Sequence, residues 1–203
     1  MQKIVVFDFD KTLTVKDTNL LFFTFVGRTK SFYYFRLIIY IVFVIIRKFR
    51  LISNTLLKNV GLLIFINGKT EKEINELSYN FSRSIKLKKP VVNILKNYIT
   101  DGKRVIIITA SIDKYVKAIF PDVEVIGSLL DFESKYIKLK NHCYHEEKIN
   151  RLKNIGIFKI NILFTDSISD LPLVRISDKI NMVNNTDIIE CYSEYQFIKA
   201  IKK

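Results

Sequence analysis

Two aspartates leave an apolar segment near the start of the chain. Asp8 and Asp10 stand two residues apart, directly after the apolar run 4–7. Carboxylates at this spacing can face one pocket if the chain begins to turn after the first of them. One could then act as a nucleophile while the other transfers protons. Taken alone, the pair is better explained as strand-end acids that cap the following turn.

A second polar group follows the apolar run 104–108. Thr109, Ala110 and Ser111 offer hydroxyls and backbone amides at what we expect to be the start of a helix. The start of a helix is suited to binding an anion such as phosphate. Considered singly, these residues are explained equally well by an ordinary helix N-cap.

The later part of the chain adds a lysine and two more carboxylates. Lys148 on the predicted helix 146–154 could reach inward as a fixed charge, although a lysine in solvent is the commoner case. Asp166 and Asp170 follow the apolar run 161–165 and could also cap a helix. Converging carboxylates repel one another unless a hard cation such as Mg²⁺ balances them. All four groups together therefore indicate a phosphate site that uses a metal.

Alternating strands and helices bring these residues to one edge. Buried parallel strands are predicted at 3–9, 104–109, 123–127, 161–165 and 179–183. Helices are predicted at 90–100, from 110 to about 120, at 146–154 and at 169–177. This order predicts an α/β fold built on a doubly wound parallel sheet. Ligands in such folds bind at the carboxyl ends of the strands, where the polar groups lie.

A long insertion interrupts the alternation after the first strand. Residues 18–83 contain no proline and are predicted to form an inserted, mainly helical cap. We expect residues 1–16 and 84–203 to form the catalytic core and residues 17–83 to form the cap. The β-branched run 38–46 would by propensity favour a strand, which leaves its helical state open.

The basic excess of the chain lies in the cap. The 203 residues carry a net charge of +13, and residues 18–70 hold eight Lys or Arg with no Asp or Glu. The same segment is the most apolar part of the chain, and this combination indicates a surface for anionic lipid rather than nucleic acid. Burial in the core is the alternative. The apolar run 37–46 falls well short of the roughly 20 residues that a transmembrane helix needs.

The cysteines and the acids near the start predict a location. Cys143 and Cys191 form no zinc or disulfide pattern, which favours a reducing, cytosolic setting. Acids at positions 8 and 10 argue against an export signal. We therefore expect a cytoplasmic protein, attached peripherally to the inner face of the cell membrane if the cap binds lipid. The oligomeric state stays open, because the apolar cap could also form a dimer interface.

The ordered motifs resemble those of a known family. The four motifs of the haloacid dehalogenase-like (HAD) hydrolase superfamily are similar to Asp8-x-Asp10-x-Thr12, Thr109, Lys148 and Asp166-Ser-x-x-Asp170. The position of the cap resembles that in the phosphoserine-phosphatase-like branch, subfamily IB. Closer matches resemble phosphatidylglycerophosphatase C-like members, which also have a hydrophobic, basic stretch early in the cap. These matches lie at 15–17, 107–111, 125–127, 143–148 and 170–173.

The resemblance implies Mg²⁺-dependent hydrolysis of phosphomonoesters. Asp8 would be the nucleophile that forms an aspartyl-phosphate, and Asp10 would be the general acid and then the base. Thr12 would shape the turn and hold Asp10. The phosphoryl oxygens would be bound by Thr109, Ala110, Ser111 and Lys148. Mg²⁺ would be bound by Asp8, the backbone carbonyl of Asp10 and Asp166, with Asp170 ligating it or orienting its water.

Three functions remain open at this stage. The resemblance favours hydrolysis of a membrane lipid phosphate such as phosphatidylglycerophosphate. A soluble phosphatase of a small metabolite, such as phosphoserine or a sugar phosphate, is the alternative. A non-catalytic, membrane-associated binding module is the third, although such a module has no need of both Asp8 and Asp10. Lys11, His145 and Thr165 depart from residues common in the family, but none of these departures removes a reacting group.

Overall fold

A seven-stranded sheet forms the centre of the protein in a computed structural model that describes residues 2–185 and 187–202. The strand order is β4-β3-β2-β1-β5-β6-β7. The strands are β1 (Ile4–Phe7), β2 (Arg104–Ile112), β3 (Glu124–Asp131), β4 (Lys138–Asn141), β5 (Ile160–Thr165), β6 (Ser177–Asn184) and β7 (Asp187–Cys191). The five central strands are parallel and the two edge strands are antiparallel. The predicted α/β fold with a parallel sheet is confirmed for the central strands.

Nine α-helices surround and extend this sheet in the described residues. They are α1 (Thr18–Gly27), α2 (Tyr33–Lys48), α3 (Asn54–Gly61), α4 (Glu71–Ser82), α5 (Lys89–Thr100), α6 (Asp113–Ile119), α7 (Glu146–Lys153), α8 (Leu171–Val174) and α9 (Glu194–Ile201). A π-helical turn follows α3 at Leu62–Ile66, and a 3-10 turn precedes α8 at Ile168–Asp170.

Strand β1 lies in the middle of the sheet because it is apolar on both faces. Val5, Val6 and Phe7 are fully buried, as expected for a parallel strand covered by helices on each side. Strand β1 pairs with β2 on one side and with β5 on the other. The backbone N–H of Asp8 donates to the carbonyl of Phe164 at 2.8 Å, so Asp8 is fixed at the carboxyl end of β1.

Two predicted helices differ from those observed. Strand β2 continues to Ile112, which pairs with Ser128 after a register shift, so α6 begins only at Asp113. The expected helix start at 109–111 is therefore wrong, because these residues belong to β2, in the irregular stretch between its paired residues Ile108 and Ile112. The predicted helix 169–177 is also too long, since it ends at Val174 and the last parallel strand begins at Ser177.

The insertion after β1, residues 18–82, is helical as predicted. The β-branched run 38–46 lies inside α2, so the strand alternative is wrong. The backbone of α2 is satisfied by hydrogen bonds within the helix. Helix α2 packs on α3 and on the π-helical turn rather than on the sheet. No helix of the described residues has the length and apolar character needed to span a bilayer.

Aromatic side chains join the insertion to the rest of the molecule. Phe22 of α1 and Phe81 of α4 contact Tyr115 of α6, with ring centroids 5.0 and 5.2 Å apart. Tyr115 also lies 6.3 Å from the ring of Phe9, which follows β1. One hydrophobic core therefore extends from the sheet into the insertion. The carboxyl end of β1 lies at this junction.

Candidate active site

A buried lysine links two of the predicted site residues. Lys148 Nζ donates to Asp8 Oδ1 at 2.7 Å and to Asp170 Oδ1 at 2.6 Å. Thr165 Oγ1 donates to the second oxygen of Asp170 at 2.7 Å. All four side chains are buried. The lysine is therefore a fixed charge inside the protein rather than a solvent-exposed helix residue.

The ionisation of this group depends on both carboxylates. Burial opposes the charge of Lys148, but Asp170 and Asp8 outweigh it and hold the pKa of the lysine above its ordinary value. Burial raises the pKa of Asp8 well above its usual range, and repulsion from Asp170 and Asp166 adds to this while Lys148 opposes it. A further positive charge near Asp8 would therefore favour its carboxylate form.

Asp10 is held by the first helix of the insertion and by β2. Its Oδ1 accepts hydrogen bonds from Thr18 N at 2.7 Å and from Thr18 Oγ1 at 2.6 Å. Its Oδ2 accepts one from Ser111 Oγ. Burial raises the pKa of Asp10 despite these hydrogen bonds, with Asp17 adding repulsion. A carboxyl group with a raised pKa is suited to donate a proton.

Thr12 contacts a different aspartate from the one expected. Its hydroxyl donates to Asp166 Oδ1 at 3.3 Å, so the expectation that it holds Asp10 is wrong. The turn after β1 instead involves Lys11, whose φ is +56° and whose N–H donates to Thr14 Oγ1 at 2.9 Å. The tight turn brings Thr12 back towards the carboxyl end of β5, where Asp166 lies.

Residues 109–111 lie beside the aspartates but not at a helix start. Thr109 Oγ1 accepts a hydrogen bond from Ser111 N at 2.9 Å, and Ser111 Oγ is bound to Asp10. The Ala110 carbonyl accepts hydrogen bonds from Ser128 Oγ at 2.6 Å and from Lys58 Nζ. Ser111 therefore positions Asp10, and Thr109 shapes the end of β2.

The donor set fits a hard divalent cation. Burial and the charge of Asp170 raise the pKa of Asp166 to about 6, and Asp8 is raised by the same two causes. Buried carboxylates that repel one another are the oxygen ligands that Mg²⁺ takes. No three acidic, His or Cys side chains cluster as metal ligands among the described residues. The implied magnesium site has two carboxylate side chains, those of Asp8 and Asp166, and its third ligand is the backbone carbonyl of Asp10. It therefore has fewer than three side-chain ligands of these types.

Asp170 has its oxygens occupied by protein donors. One accepts from Lys148 and the other from Thr165, so the geometry favours a positioning role over direct ligation of a metal. By contrast, Asp166 accepts only the long hydrogen bond from Thr12 among the side-chain hydrogen bonds of the described residues. Asp8 and Asp166 are therefore the better candidates for side-chain metal ligands.

A cavity of 590 Å³ lies between the insertion and the core, and one of its lining residues, Asn19, contacts Asp10. Its lining includes Asp17, Asn19 and Lys58 from the insertion, and Ala110 and His142 from the core. His142 accepts or donates a hydrogen bond with Thr55 at 2.7 Å, and burial lowers its pKa to about 3, so the ring is neutral.

Sequence reasoning missed the residues of the insertion that reach the site. Thr18 and Asn19 contact Asp10, and the buried hydroxyl of Tyr115 lies 3.0 Å from Thr18 Oγ1. Lys58 donates to the Ala110 carbonyl. In the sequence, Lys58 is one of the eight basic residues of 18–70, and its neighbours give no signal that distinguishes it. Thr18 and Asn19 gave none beyond their place after the N-cap Asp17.

The fold and the site together define a hydrolase with a parallel α/β core, a carboxylate-lysine site and a helical insertion. The family model of the haloacid dehalogenase-like hydrolases matches residues 5–175. The chain therefore belongs to this family, which confirms the resemblance at the level of the superfamily. No curated protein sequence matches the chain.

Solved structures agree on the fold. A protein of unknown function from Bordetella pertussis Tohama I is 15% identical with a TM-score of 0.69, covering 86% of this chain and 87% of its own. A phosphoserine phosphohydrolase-like protein from Francisella tularensis is 14% identical with a TM-score of 0.64, covering 98% and 92%. A phosphoserine phosphatase solved as a phospho-aspartyl intermediate analogue is 13% identical with a TM-score of 0.58, covering 98% and 99%. These likenesses show the fold, while the branch of the superfamily and the likeness to phosphatidylglycerophosphatase C stay predictions.

Proposed function

We propose that the protein hydrolyses phosphomonoesters through an aspartyl-phosphate on Asp8. The buried arrangement in which Lys148 bridges Asp8 and Asp170, beside Asp10, is the observation that carries this proposal. A transferring phosphoryl group carries negative charge on three oxygens, and a fixed lysine stabilises that charge. Bound Mg²⁺, held by Asp8, Asp166 and the Asp10 carbonyl, supplies the remaining positive charge.

Each residue has a defined role in this proposal. A carboxylate oxygen of Asp8 attacks phosphorus, and the bond from phosphorus to the leaving oxygen breaks while Asp10 donates a proton to that oxygen. Asp10 then takes a proton from the water that attacks the aspartyl-phosphate, which releases phosphate and restores Asp8. Thr18 and Ser111 keep Asp10 in place through both steps. We propose that residues 17–83, the helical insertion, form the cap over this site.

Asp8→Asn tests this proposal directly. The amide cannot form the acyl phosphate, so turnover of p-nitrophenyl phosphate should fall at least about 1,000-fold while the fold is retained. Steady-state rates and the thermal unfolding midpoint should be measured together. Lys153→Gln, on the exposed side of α7, is a matched control that removes a charge elsewhere. Activity of Asp8→Asn near that of the wild type would contradict the proposal.

For the substrate, we propose a lipid phosphate presented at an anionic membrane surface. Helix α2 supports this proposal because many of its apolar residues are exposed. All residues of α2 are described by the structure, and Tyr40 is the one that is buried. Exposed apolar residues recur at helical spacing along it, namely Tyr34, Phe35, Ile38, Ile41, Val42 and Ile45. Val44 of the same helix and Leu20 of α1 line the 590 Å³ cavity, so apolar surface continues from this helix into the cavity.

The charges near this surface fit a lipid partner better than a second copy of the chain. Lys48 and Arg50 are exposed at the end of α2, and residues 18–70 have no acid to pair with them. Two copies facing each other through α2 would bring like charges together. An anionic surface instead gives each cation roughly 1 kcal/mol. A phosphate ester could then enter the site while its acyl chains stay in the bilayer.

Vesicle binding tests the lipid substrate. Binding should rise with the fraction of phosphatidylglycerol in phosphatidylcholine vesicles and weaken as salt shortens the screening length. Lys48→Glu with Arg50→Glu should weaken it at least about tenfold, whereas Lys96→Glu with Lys153→Glu, which changes the net charge equally, should not. Arg47 is left intact because its Nε holds Asn54 at 2.6 Å.

A substrate panel separates the two remaining candidates. Phosphatidylglycerophosphate and phosphatidic acid should be preferred to phosphoserine and sugar phosphates. If the protein ignores anionic vesicles and prefers a soluble phosphate, the lipid proposal is wrong and the exposed face of α2 has another use. That outcome would leave the aspartyl-phosphate proposal intact.

A further inference from the structure

Tyr115 of α6 carries a hydroxyl group into an apolar part of the core. Its side chain is fully buried, and its ring lies 5.0 to 6.3 Å, centroid to centroid, from those of Phe9, Phe22 and Phe81. A phenylalanine at this position would pack against these rings equally well. A buried hydroxyl lowers the stability of a protein unless it forms a hydrogen bond. Packing alone therefore does not explain the hydroxyl of Tyr115.

The hydroxyl of Tyr115 lies against the first residue of α1. Its oxygen is 3.0 Å from Thr18 Oγ1, and the side chain of Thr18 is itself buried. Thr18 Oγ1 in turn lies 2.6 Å from Asp10 Oδ1. A chain of hydrogen bonds thus runs from α6 through the start of the insertion to Asp10.

The number of available protons decides which group donates in this chain. Thr18 Oγ1 donates its proton to Asp10 Oδ1, and Ser111 Oγ donates its proton to Asp10 Oδ2. Because a hydroxyl has one proton, neither group has a second one to give to a neighbour. Thr18 Oγ1 can still accept a hydrogen bond, and Tyr115 has a proton to donate. Burial raises the pKa of Tyr115 well above its ordinary value, so the phenol keeps that proton.

We infer that Tyr115 is a positioning residue for Asp10, which it holds through Thr18. The Tyr115 hydroxyl donates to Thr18 Oγ1 and fixes the Thr18 side chain in the rotamer that binds Asp10 Oδ1. This inference rests on the proposed function and adds to it a residue that acts on Asp10 through a neighbour. Without the hydroxyl, the Thr18 side chain can rotate, and Asp10 is less well aligned with the leaving oxygen.

The backbone limits how far Asp10 can move when the hydroxyl is lost. Thr18 N donates to the same Asp10 oxygen at 2.7 Å, and this bond does not depend on the side chain of Thr18. Ser111 Oγ holds the other oxygen of Asp10. Removal of the Tyr115 hydroxyl should therefore weaken acid catalysis by Asp10 without abolishing it.

The dependence of the rate on the leaving group tests this role. Phenolate is a poorer leaving group than p-nitrophenolate and needs more help from a general acid. Tyr115→Phe should lower kcat/KM about 10-fold for phenyl phosphate but less than about threefold for p-nitrophenyl phosphate. The ratio kcat/KM reports the steps up to release of the leaving group, so the later role of Asp10 as a base does not affect it. A merely structural defect would lower both values by the same factor.

Tyr98→Phe is the matched control for the loss of a phenolic hydroxyl. Tyr98 of α5 is half-buried beside Phe164, with ring centroids 6.1 Å apart, and it lies outside the proposed site. This variant should leave the ratio of the two kcat/KM values unchanged. Thermal unfolding midpoints should be measured for both variants.

A double-mutant cycle tests whether Tyr115 acts through Thr18. Thr18→Val removes the hydroxyl that Tyr115 would hold and keeps the shape of the side chain. Adding Tyr115→Phe to Thr18→Val should cause no further loss of kcat/KM on phenyl phosphate. It should also recover part of the stability lost in Thr18→Val, because the buried phenol without a partner is then removed. This comparison does not require Tyr115→Phe to fold by itself.

The results separate a failure of this inference from a failure of the proposed function. A loss on p-nitrophenyl phosphate as large as that on phenyl phosphate for Tyr115→Phe, or no loss on either, would overturn the inference. A further loss on phenyl phosphate when Tyr115→Phe is added to Thr18→Val would also overturn it. In each of these cases the wild type still hydrolyses both esters and the proposed function stands. If the wild type hydrolyses neither ester, the proposed function itself fails.

Discussion

At the scale of single residues, the site is a balance of buried charges. Burial raises the pKa of Asp8 and of Asp166, and Lys148 forms direct ion pairs with Asp8 and Asp170. Removing one partner of a buried pair leaves the other uncompensated, which costs several kcal/mol. The same buried charges that destabilise the empty site would be paired when it binds substrate: the carboxylates with a cation, and Lys148 with a phosphoryl group.

Asp10→Asn separates the two halves of the proposed reaction. The amide can still accept the hydrogen bonds of Thr18 through its oxygen, but it cannot donate or accept a proton in catalysis. With p-nitrophenyl phosphate, whose leaving group needs little acid assistance, the aspartyl-phosphate should form and then persist. A rapid-quench experiment should show a burst of p-nitrophenolate followed by turnover at least about 100-fold slower than in the wild type. Full wild-type turnover would contradict the role of Asp10.

Lys58→Met should make the protein more stable, because it removes a buried charge. Burial lowers the pKa of Lys58 to about 8, and a shift of that size corresponds to about 3 kcal/mol at pH 7 as an upper limit. Methionine keeps the alkyl chain and removes the charge. Urea unfolding at pH 7 should therefore show a higher free energy of unfolding for the variant. An unchanged or lower stability at pH 7 would argue that Lys58 contributes to the fold.

The same substitution predicts the sign of a pH effect. The folded pKa of Lys58 lies below its ordinary value of 10.5, so the unfolded chain binds the extra proton between about pH 8 and 10.5. The free energy of unfolding of the wild type therefore rises with pH across that window, as far as Lys58 contributes to it. The advantage of Lys58→Met over the wild type should accordingly shrink as the pH is raised from 7 to 10. Asp10, Asp17, His142, Cys143 and Lys148 are the titratable groups near this lysine, and they are common to both proteins.

At the scale of elements, close helix contacts hold the insertion together. Gly61 at the end of α3 lies against Phe23 of α1, where an added Cβ would meet the ring at 2.3 Å. The ring of Phe23 cannot move aside, since it lies between Tyr40 and Phe65 with centroids 5.8 and 6.1 Å away. Helices α1, α2 and α3 meet at this aromatic cluster.

Gly61→Ala should therefore destabilise the protein, against the usual preference of helices for alanine. Gly61 has helical backbone angles, so the cost comes from the overlap with Phe23, at about 1–3 kcal/mol. Thermal unfolding of the single variant should show the loss. Adding Phe23→Leu, which removes the outer ring atoms, should cost less in the Gly61→Ala background than in the wild type. Additive effects would show that the two residues do not compete for this space.

At the scale of the whole molecule, the site lies where two parts of one hydrophobic core meet. Asp8 and Asp166 come from the sheet, whereas Thr18, Asn19 and Lys58 come from the insertion. The two parts are packed together across the junction by Phe22, Phe81 and Tyr115. Binding of a cation at the carboxylates should therefore change the stability of the whole chain.

Mg²⁺ should stabilise the whole molecule because it relieves repulsion among buried carboxylates. A ligand at about 100 times its Kd adds about 2.7 kcal/mol, which corresponds to a rise in Tm of about 5–10 °C for a chain of this size. Differential scanning calorimetry with Mg²⁺ and with a chelator should show this shift, and Asp166→Asn should lack it. Activity should stop in chelator and return with Mg²⁺ but not with Ca²⁺, whose longer and more numerous contacts could engage both oxygens of Asp8. Full activity in excess chelator would contradict the metal-dependent mechanism.

The sequence by itself determined the parallel sheet, the helical insertion and the residues at the strand ends. Apolar runs such as that of β1 can be satisfied only between layers of helices, and the carboxyl ends of parallel strands share one edge. Asp8, Asp10 and Asp166 were identifiable for this reason, since local pattern places them. The antiparallel edge strands, of which β4 alternates half-buried and exposed residues, carried no such pattern.

Only the tertiary structure decided which side chains meet. Thr12 binds Asp166 rather than Asp10, Lys148 is buried between two acids, and Lys58 reaches the site from the insertion. It also divided the apolar insertion into a buried part, including Phe22 and Phe23, and an exposed face on α2. These outcomes depend on contacts between residues far apart in the chain. Composition and periodicity record the apolar character of a helix face but not which other element, if any, covers it.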